Sequence, residues 1–435
     1  MLETLKKTTD GVFVSAEKST QIKKEIKTIV DFKKKIKECS VNEITKILEI
    51  ILGGGILLEA SDIHIEPLEE SAKIRTRIDG ILQDAAEINR EIYEKILSRI
   101  KLLSGIKLNV SDRPQDGRFS VLIESLIVEV RSSTLPAEKG ESIVLRILNP
   151  KSLLNLESLG LRNDLFEMFK KEIKKPNGMI IVTGPTGSGK TTTLYAFLKK
   201  IQKPEIKIIT IEDPIEYHLK GVSQTQVDPK KGYDFASGLQ SIMRQDPDVI
   251  LVGEIRNPKT CKIALQAALT GHLVLTTLHT NDAAGTIARL TSLEGELINI
   301  GPAINLIIAQ RLVRKVCKKC VKLKRASFSA LNKIKKNLKG IPKEIKLPKI
   351  KMGLKIPETK GCKYCNYTGY KGRVGIFETI LVNDNMERFI LKNPSIASFR
   401  KEAIKKGMAT IKQDGLIKAL KGVTTLEEVE RVAGE

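Results

Sequence analysis

Gly184-Pro185-Thr186-Gly187-Ser188-Gly189-Lys190-Thr191 constrains this chain more than any other stretch, because it fills every fixed position of the pattern G-x-x-x-x-G-K-[ST]. Met179–Thr183 before it reads as a short buried strand and Thr191–Ile201 after it as a helix. The glycines therefore fall where strand passes to helix. Backbone N–H groups and the positive end of the helix converge there, and phosphate oxygens are the fitting ligand. Lys190 supplies a point charge for the β and γ phosphates and Thr191 a hydroxyl for Mg²⁺, with Thr192 beside it in the first helical turn. Glycine makes up only about 7% of an average chain, so a chance match of this length is on the order of a few per cent. A nucleoside triphosphate with Mg²⁺ is the expected ligand.

The surroundings of that loop read as an α/β core. Ile208–Ile211, Val249–Val252 and Leu273–Thr276 are continuous apolar runs of the kind buried on both faces of a parallel sheet, and helical patterns lie between them near Phe235–Arg244 and Pro258–Leu269. Such a sheet offers its ligands the carboxyl ends of the strands. Beyond the first run comes Glu212-Asp213-Pro214-Ile215-Glu216, and beyond the second Gly253-Glu254, where a P-loop enzyme usually carries an aspartate and then a glutamate. Glycine at 253 leaves Mg²⁺ to Thr191, phosphate oxygens and water, with Glu254 close by or acting through water. Glu216 and Glu254 compete for the work of orienting and deprotonating the attacking water. Two of the four histidines, His272 and His279, bracket the third run and read as γ-phosphate sensors or couplers to a neighbouring subunit; His64 reads as structural.

Residues 1–40 are lysine-rich, and Ile22, Ile26, Ile29, Val30 and Ile36 recur at helical spacing, which predicts a basic amphipathic helix. Packing onto its own protein is the favoured role, and docking to an acidic membrane surface the lesser one. A helical pattern from Val41 to Leu52 is expected to break at Gly53-Gly54-Gly55. Alternation at Ile63–Glu66, Lys73–Ile78 and Val121–Arg131, with Asp79-Gly80 as a turn, predicts a small α/β domain over 41–148. A linker at 149–158 leads to the core at 159–315. The first domain is notable for Arg75, Arg77, Arg113, Arg118, Arg131 and Arg146; Arg75 and Arg77 share one strand face because side chains alternate with a period of two.

No apolar run approaches the ~20 residues that cross a membrane, and the first residues lack a secretory signal, so the expectation is a soluble, cytosolic protein. In a reducing compartment Cys317-x-x-Cys320 and Cys362-x-x-Cys365 read as one tetrahedral zinc site in a basic insert over 316–372, ahead of a helical region at 373–435. The net charge of +23 is concentrated there: residues 311–360 hold eighteen Lys or Arg against Glu344 and Glu358. Aromatic residues are only 4% and tryptophan is absent, which argues against a base-stacking nucleic-acid surface.

Taken in order, Ala60-Ser61-Asp62-Ile63-His64-Ile65-Glu66-Pro67, Arg77-Ile78-Asp79-Gly80, the Gly184 loop, Glu212–Glu216, Gly253-Glu254-Ile255-Arg256, Thr270-Gly271-His272 through Leu278-His279-Thr280-Asn281 and the paired cysteines resemble the type II secretion and type IV pilus assembly ATPase family. The resemblance runs from about residue 41 to the C-terminus. It implies a RecA-like P-loop NTPase core with an N-terminal PAS-like α/β domain, a zinc-binding insert and C-terminal helices, assembled as a homohexamer that holds each nucleotide between the two domains. By position Glu216 is similar to the family's catalytic glutamate and Glu254 to its Walker B glutamate. His272 and His279 match its histidine box, Arg75, Arg77, Arg131 and Arg146 its charge-supplying arginines, and the four cysteines the zinc site of assembly and secretion members. The resemblance further implies a peripheral, cytoplasmic motor acting on an inner-membrane platform protein. The family's large extra N-terminal partner-binding domain is not matched, and residues 1–40 stand in its place. Two other readings compete: a nucleic-acid-stimulated translocase on the same core, and a non-motor nucleotide-binding scaffold.

Overall fold

Alternation with a period of two dominates the N-terminal sequence, and in the computed structural model it folds as a sheet that is antiparallel except for the parallel edge strand Gly11–Val14, with helices on its apolar face. The structure describes residues 11–123, 126–150, 153–342 and 345–434. Expectations for the first ten residues, for 124–125 within the Val121–Arg131 run, and for 151–152 of the linker lie outside the described residues. Two units are resolved. One holds the described residues up to 150 together with Cys317–Cys320 and Lys360–Lys371; the other holds the described residues of 152–316, Val321–Thr359 and those from Gly372 on. The stretch expected as a single insert is thereby divided between them.

In the first unit the strands are β1 (Gly11–Val14), β2 (Ala60–Pro67), β3 (Ser71–Ile78), β4 (Ile81–Asn89), β5 (Gln115–Ile123), β6 (Leu126–Ala137) and β7 (Gly140–Leu148), in the spatial order β1-β5-β6-β7-β2-β3-β4. On β3, Ala72, Ile74, Thr76 and Ile78 are buried while Lys73, Arg75 and Arg77 face the other way. Asp79 and Gly80 both take positive φ and close the β3–β4 hairpin. The expected basic helix is two helices, Ala16–Glu25 and Ile29–Lys37, divided at Thr28, whose hydroxyl caps the second. Ile22, Ile26, Ile29, Phe32 and Ile36 are buried in the unit's core and Val30 is exposed, so this segment packs onto its own protein.

The three glycines do not break the next helix, which runs unbroken over Ile44–Leu57. They are its contact points. A Cβ on Gly54 would lie 2.6 Å from the Phe32 ring, and one on Gly55 2.6 Å from Ile63 Cδ1. Each glycine costs roughly 1 kcal/mol of helix propensity, and the close approach of Phe32 and Ile63 offsets it through dispersion and burial.

The second unit contains β8 (Gly178–Thr183), β9 (Ile208–Glu212), β10 (Ser223–Gln226), β11 (Val249–Val252), β12 (Leu273–Leu278), β13 (Ile304–Val316), β14 (Val321–Arg325), β15 (Lys355–Thr359) and, from Gly372 on, β16 (Tyr370–Leu381). Its main sheet has the order β10-β9-β11-β12-β8-β13-β16, with parallel pairing from β10 through β13; β14 and β15 form a separate antiparallel pair. Met179 and Ile181 of β8 enter one apolar cluster, Ile180 and Val182 another. That division explains why the sequence shows continuous apolar runs here and alternation in the first unit. Helices Phe235–Met243 and Pro258–Leu269 pack on one cluster, Lys190–Ile201 on the other. No helix among the described residues is long and apolar enough to cross a membrane.

Candidate nucleotide site and cysteine cluster

The loop between β8 and the helix Lys190–Ile201 is shaped by glycines where nothing larger fits. Gly184 and Gly189 have φ of 146° and 86°, and a Cβ there would meet Gln310 O at 2.4 Å and Gln310 Nε2 at 2.9 Å. Gln310 on β13 backs the loop and also accepts a 2.7 Å hydrogen bond from Thr193. Its position on a neighbouring strand left no sequence signal. Lys190 Nζ donates to Gly184 O at 2.9 Å and Pro185 O at 3.2 Å. Burial lowers the pKa of Lys190, and the nearby negative charges of Glu254 and Glu216 oppose that shift. Both carboxylates singled out from the sequence thus act on the ammonium of this loop.

Glu254 follows β11 and is nearly buried; Arg256 Nη2 lies 2.6 Å from its Oε1, and His279 Nε2 lies 3.5 Å from its Oε2. Glu254 Oε2 and Ser188 Oγ are buried without a hydrogen-bond partner among the described residues. Together with the glycine cradle, these two orphaned oxygens fit a Mg²⁺–nucleotide ligand, with Thr191 half-buried at the helix start.

The two histidines separate. In the β12–β8 register Leu273 pairs with Gly178 and Leu278 with Thr183, so His279 emerges beside the phosphate loop and His272 at the opposite end of the strand. His272 Nδ1 contacts Ala267 O at 3.1 Å, and the structure does not bring it to the loop of its own chain. Glu212, first of the acidic box, is also set apart. It is buried and accepts hydrogen bonds from Tyr195, Thr210 and Gln224, an arrangement that holds β9 in place, whereas Glu216 is half-buried on the loop beyond.

In the first unit, cross-strand register assembles a row. Arg118 pairs with Arg131, Arg131 with Arg146, Arg146 with Asp62 and Asp62 with Arg77, so all five side chains share one face of the sheet. Asp62 Oδ1 is 3.0 Å from Arg146 Nε and Oδ2 is 3.5 Å from Arg77 Nε. Arg75 lies on the same face, paired with Glu66. Arg146 and Arg77 flank Asp62 and Arg131 Nε lies 3.8 Å from Glu129 Oε1, so the row keeps an excess of positive charge. Arg118 was absent from the arginine set carried over by resemblance; only the pairing reveals its place.

Cys317, Cys320, Cys362 and Cys365 place their Sγ atoms within 4.8 Å of one another, with three separations of 3.8–3.9 Å. A regular tetrahedron with Zn–S arms of about 2.3 Å has edges of about 3.8 Å. The backbone N–H groups of Cys362 and Gly369 donate to Cys365 Sγ, as a coordinating thiolate requires. The donor set fits Zn²⁺.

The model of the type II/IV secretion system protein family matches residues 37–431. The chain belongs to that family. It is similar to the type II secretion system ATPase E of Vibrio cholerae, 42% identical over 90% of this chain and 76% of that protein's length. The type IV pilus assembly ATPase PilB of Thermus thermophilus is 42% identical over 88% of this chain, which spans 42% of that longer protein. Among solved structures, the pilus retraction motor PilT with bound ADP has a TM-score of 0.58 at 27% identity, covering 88% of this chain and 96% of that one. The ATPase DotB of Legionella pneumophila, at TM-score 0.64 and 21% identity, covers 89% and 95% and shows the shared fold.

Proposed function

We propose that this secretion-family protein is an ATP-hydrolysing homohexameric motor that powers assembly of type IV pili or type II secretion pseudopili, acting on a platform protein at the cytoplasmic face of the inner membrane. The observation that carries the reading is the pair Glu254–His279, 3.5 Å apart, at the strand ends that flank the Lys190 loop, in a chain 42% identical to a named secretion ATPase. Lys190 and the loop N–H groups bind the β and γ phosphates of the substrate. Thr191 would hold Mg²⁺, with Glu254 acting on its water shell, and the ion would supply positive charge beside the transferred phosphoryl group. Glu216 accepts the proton of the attacking water, and His279 contacts the γ-phosphate side of the site. The arginine row of the first unit, Arg75 with it, is assigned to binding the negative charge of a triphosphate. His272, distant from its own loop, is assigned to a neighbouring subunit. Zn²⁺ on the four cysteines staples the segments 317–320 and 360–371.

Glu216→Gln tests the assignment. ATP binding is retained and turnover falls by roughly 10²-fold or more, the range for loss of a general base. Turnover near that of the unmodified protein removes Glu216 from the role.

A further inference from the structure

Glu378 on β16 is a carboxylate only 4% exposed that takes no part in the chemistry above. Its Oε1 accepts from Ala283 N–H at 3.0 Å and its Oε2 from Ile411 N–H at 3.3 Å. One end of this bridge is the loop that carries His279; the other is the first residue of the C-terminal helix Ile411–Leu420. A second link runs in parallel. Asp282 caps Gly285 N–H through Oδ1 at 2.8 Å, and its Oδ2 is paired with Arg400 of the helix Ile396–Lys405. The near end of the same loop is tied to the phosphate loop. Thr280 N–H donates to Thr183 Oγ1 at 2.8 Å, and Thr183 directly precedes Gly184. Thr280 Oγ1 donates to Asp282 O at 2.8 Å, which makes residues 280–282 a tight turn. Residues 279–283 are thus held at one end by the strand that launches the phosphate loop and at the other by two C-terminal helices.

We infer that Glu378 and Arg400 are positioning residues for ATP hydrolysis: they clamp the 279–283 loop, fix His279 against Glu254, and make turnover depend on where the C-terminal helices sit. Neither touches substrate. A buried carboxylate with one N–H on each oxygen holds two backbone segments at a fixed spacing, and its desolvation is compensated only while both donors stay in place. Displacing either helix releases a donor and the Arg400–Asp282 pair together, and the imidazole moves with its loop. A shift of about 1 Å at such a group costs on the order of 10²-fold in rate. A force applied to the C-terminal helices is therefore read directly at the site of hydrolysis. The inference rests on the assignment of His279 to that site.

Steady-state ATP hydrolysis by the full chain tests it, with Glu378→Gln, Arg400→Ala, His279→Ala and the double variant Arg400→Ala/His279→Ala. Arg400 is half-exposed, so its variant keeps the fold even where the buried substitution does not, and thermal melting confirms that. Expected are a fall in kcat of about tenfold in Arg400→Ala and Glu378→Gln with KM for ATP within about twofold, and a double variant no slower than His279→Ala, as for residues acting through one group. Arg400→Lys restores much of the rate. Unchanged kcat in both clamp variants beside a slow His279→Ala overturns the clamp while leaving the histidine assignment standing. A double variant slower than His279→Ala by a further tenfold also overturns it. Full turnover in His279→Ala overturns the assignment and the clamp with it.

Discussion

Glu212 and Glu216 are four residues apart and chemically alike, yet their surroundings give them different work. Three donors surround Glu212 inside β9 and its neighbours, while Glu216 acts on Lys190 from the loop beyond. Glu212→Gln is expected to lower thermal stability more than it lowers turnover, the reverse of Glu216→Gln; melting curves and ATPase rates on both variants decide it. Arg118 stood among the arginines read from the sequence but outside the set that the family resemblance implied, because an arginine on an exposed strand face looks like solubility until its partner across the ladder is known. Arg118→Ala is expected to cut kcat/KM for ATP by about tenfold, the scale of one charge-assisted hydrogen bond, with an unchanged melting temperature. Unchanged kcat/KM assigns the row to Arg131, Arg146 and Arg77 alone. His272 and His279 show the converse: the six residues of β12 between them place them at opposite ends of the strand, roughly 20 Å apart at strand rise, which sequence proximity conceals.

At the scale of elements, the strands of the core and the phosphate loop were legible because a two-sided parallel sheet demands unbroken apolar runs and glycines demand a turn. The helix Ile44–Leu57 was not legible past Leu52. Glycine's low propensity argues for a stop, and only the tertiary approach of Phe32 and Ile63 reverses that. Gly54→Ala, stabilising in an ordinary helix, is expected here to destabilise by about 1–3 kcal/mol through overpacking, measured by chemical denaturation of the full chain. The helix Leu426–Ala433 is tied to β13 by Glu428, which is buried and bonded to Arg314 and Arg431. Burial alone would raise its pKa, but the bonds to Arg431 and Arg314 hold it below the ordinary 4.5. The unfolded chain then takes up this proton first as the pH falls, so the contribution is complete above pH 4.5 and is lost on acidification through the lower folded value. Glu428→Gln is expected to melt lower than the unmodified protein at pH 7, with the gap closing below pH 4.5; a gap independent of pH contradicts the ion-pair explanation. The cysteine cluster makes a third prediction. Purified protein carries one zinc per chain, and Cys362→Ser loses it together with melting temperature; full folding without zinc contradicts the staple.

For the whole molecule, the order of motifs along the chain fixes the family, and the joint placement of Lys190, Glu216, Glu254 and His279 supports a hydrolase rather than a passive binder. The basic charge is the feature that sequence left most open, since a lysine-rich stretch fits a solvated face and an acidic-partner surface alike. In the structure that stretch is divided: 317–320 and 360–371 lie with the arginine-rich unit, 321–359 with the ATPase unit. The most direct test of a platform-coupled motor is the steady-state ATPase rate and particle mass of the purified chain with ATP, on adding cytoplasmic segments of a platform protein or single-stranded DNA. The proposed function predicts a hexamer-sized particle whose turnover rises with the platform segments and not with DNA. A salt-sensitive rise with DNA alone, or a monomer indifferent to both, would contradict it.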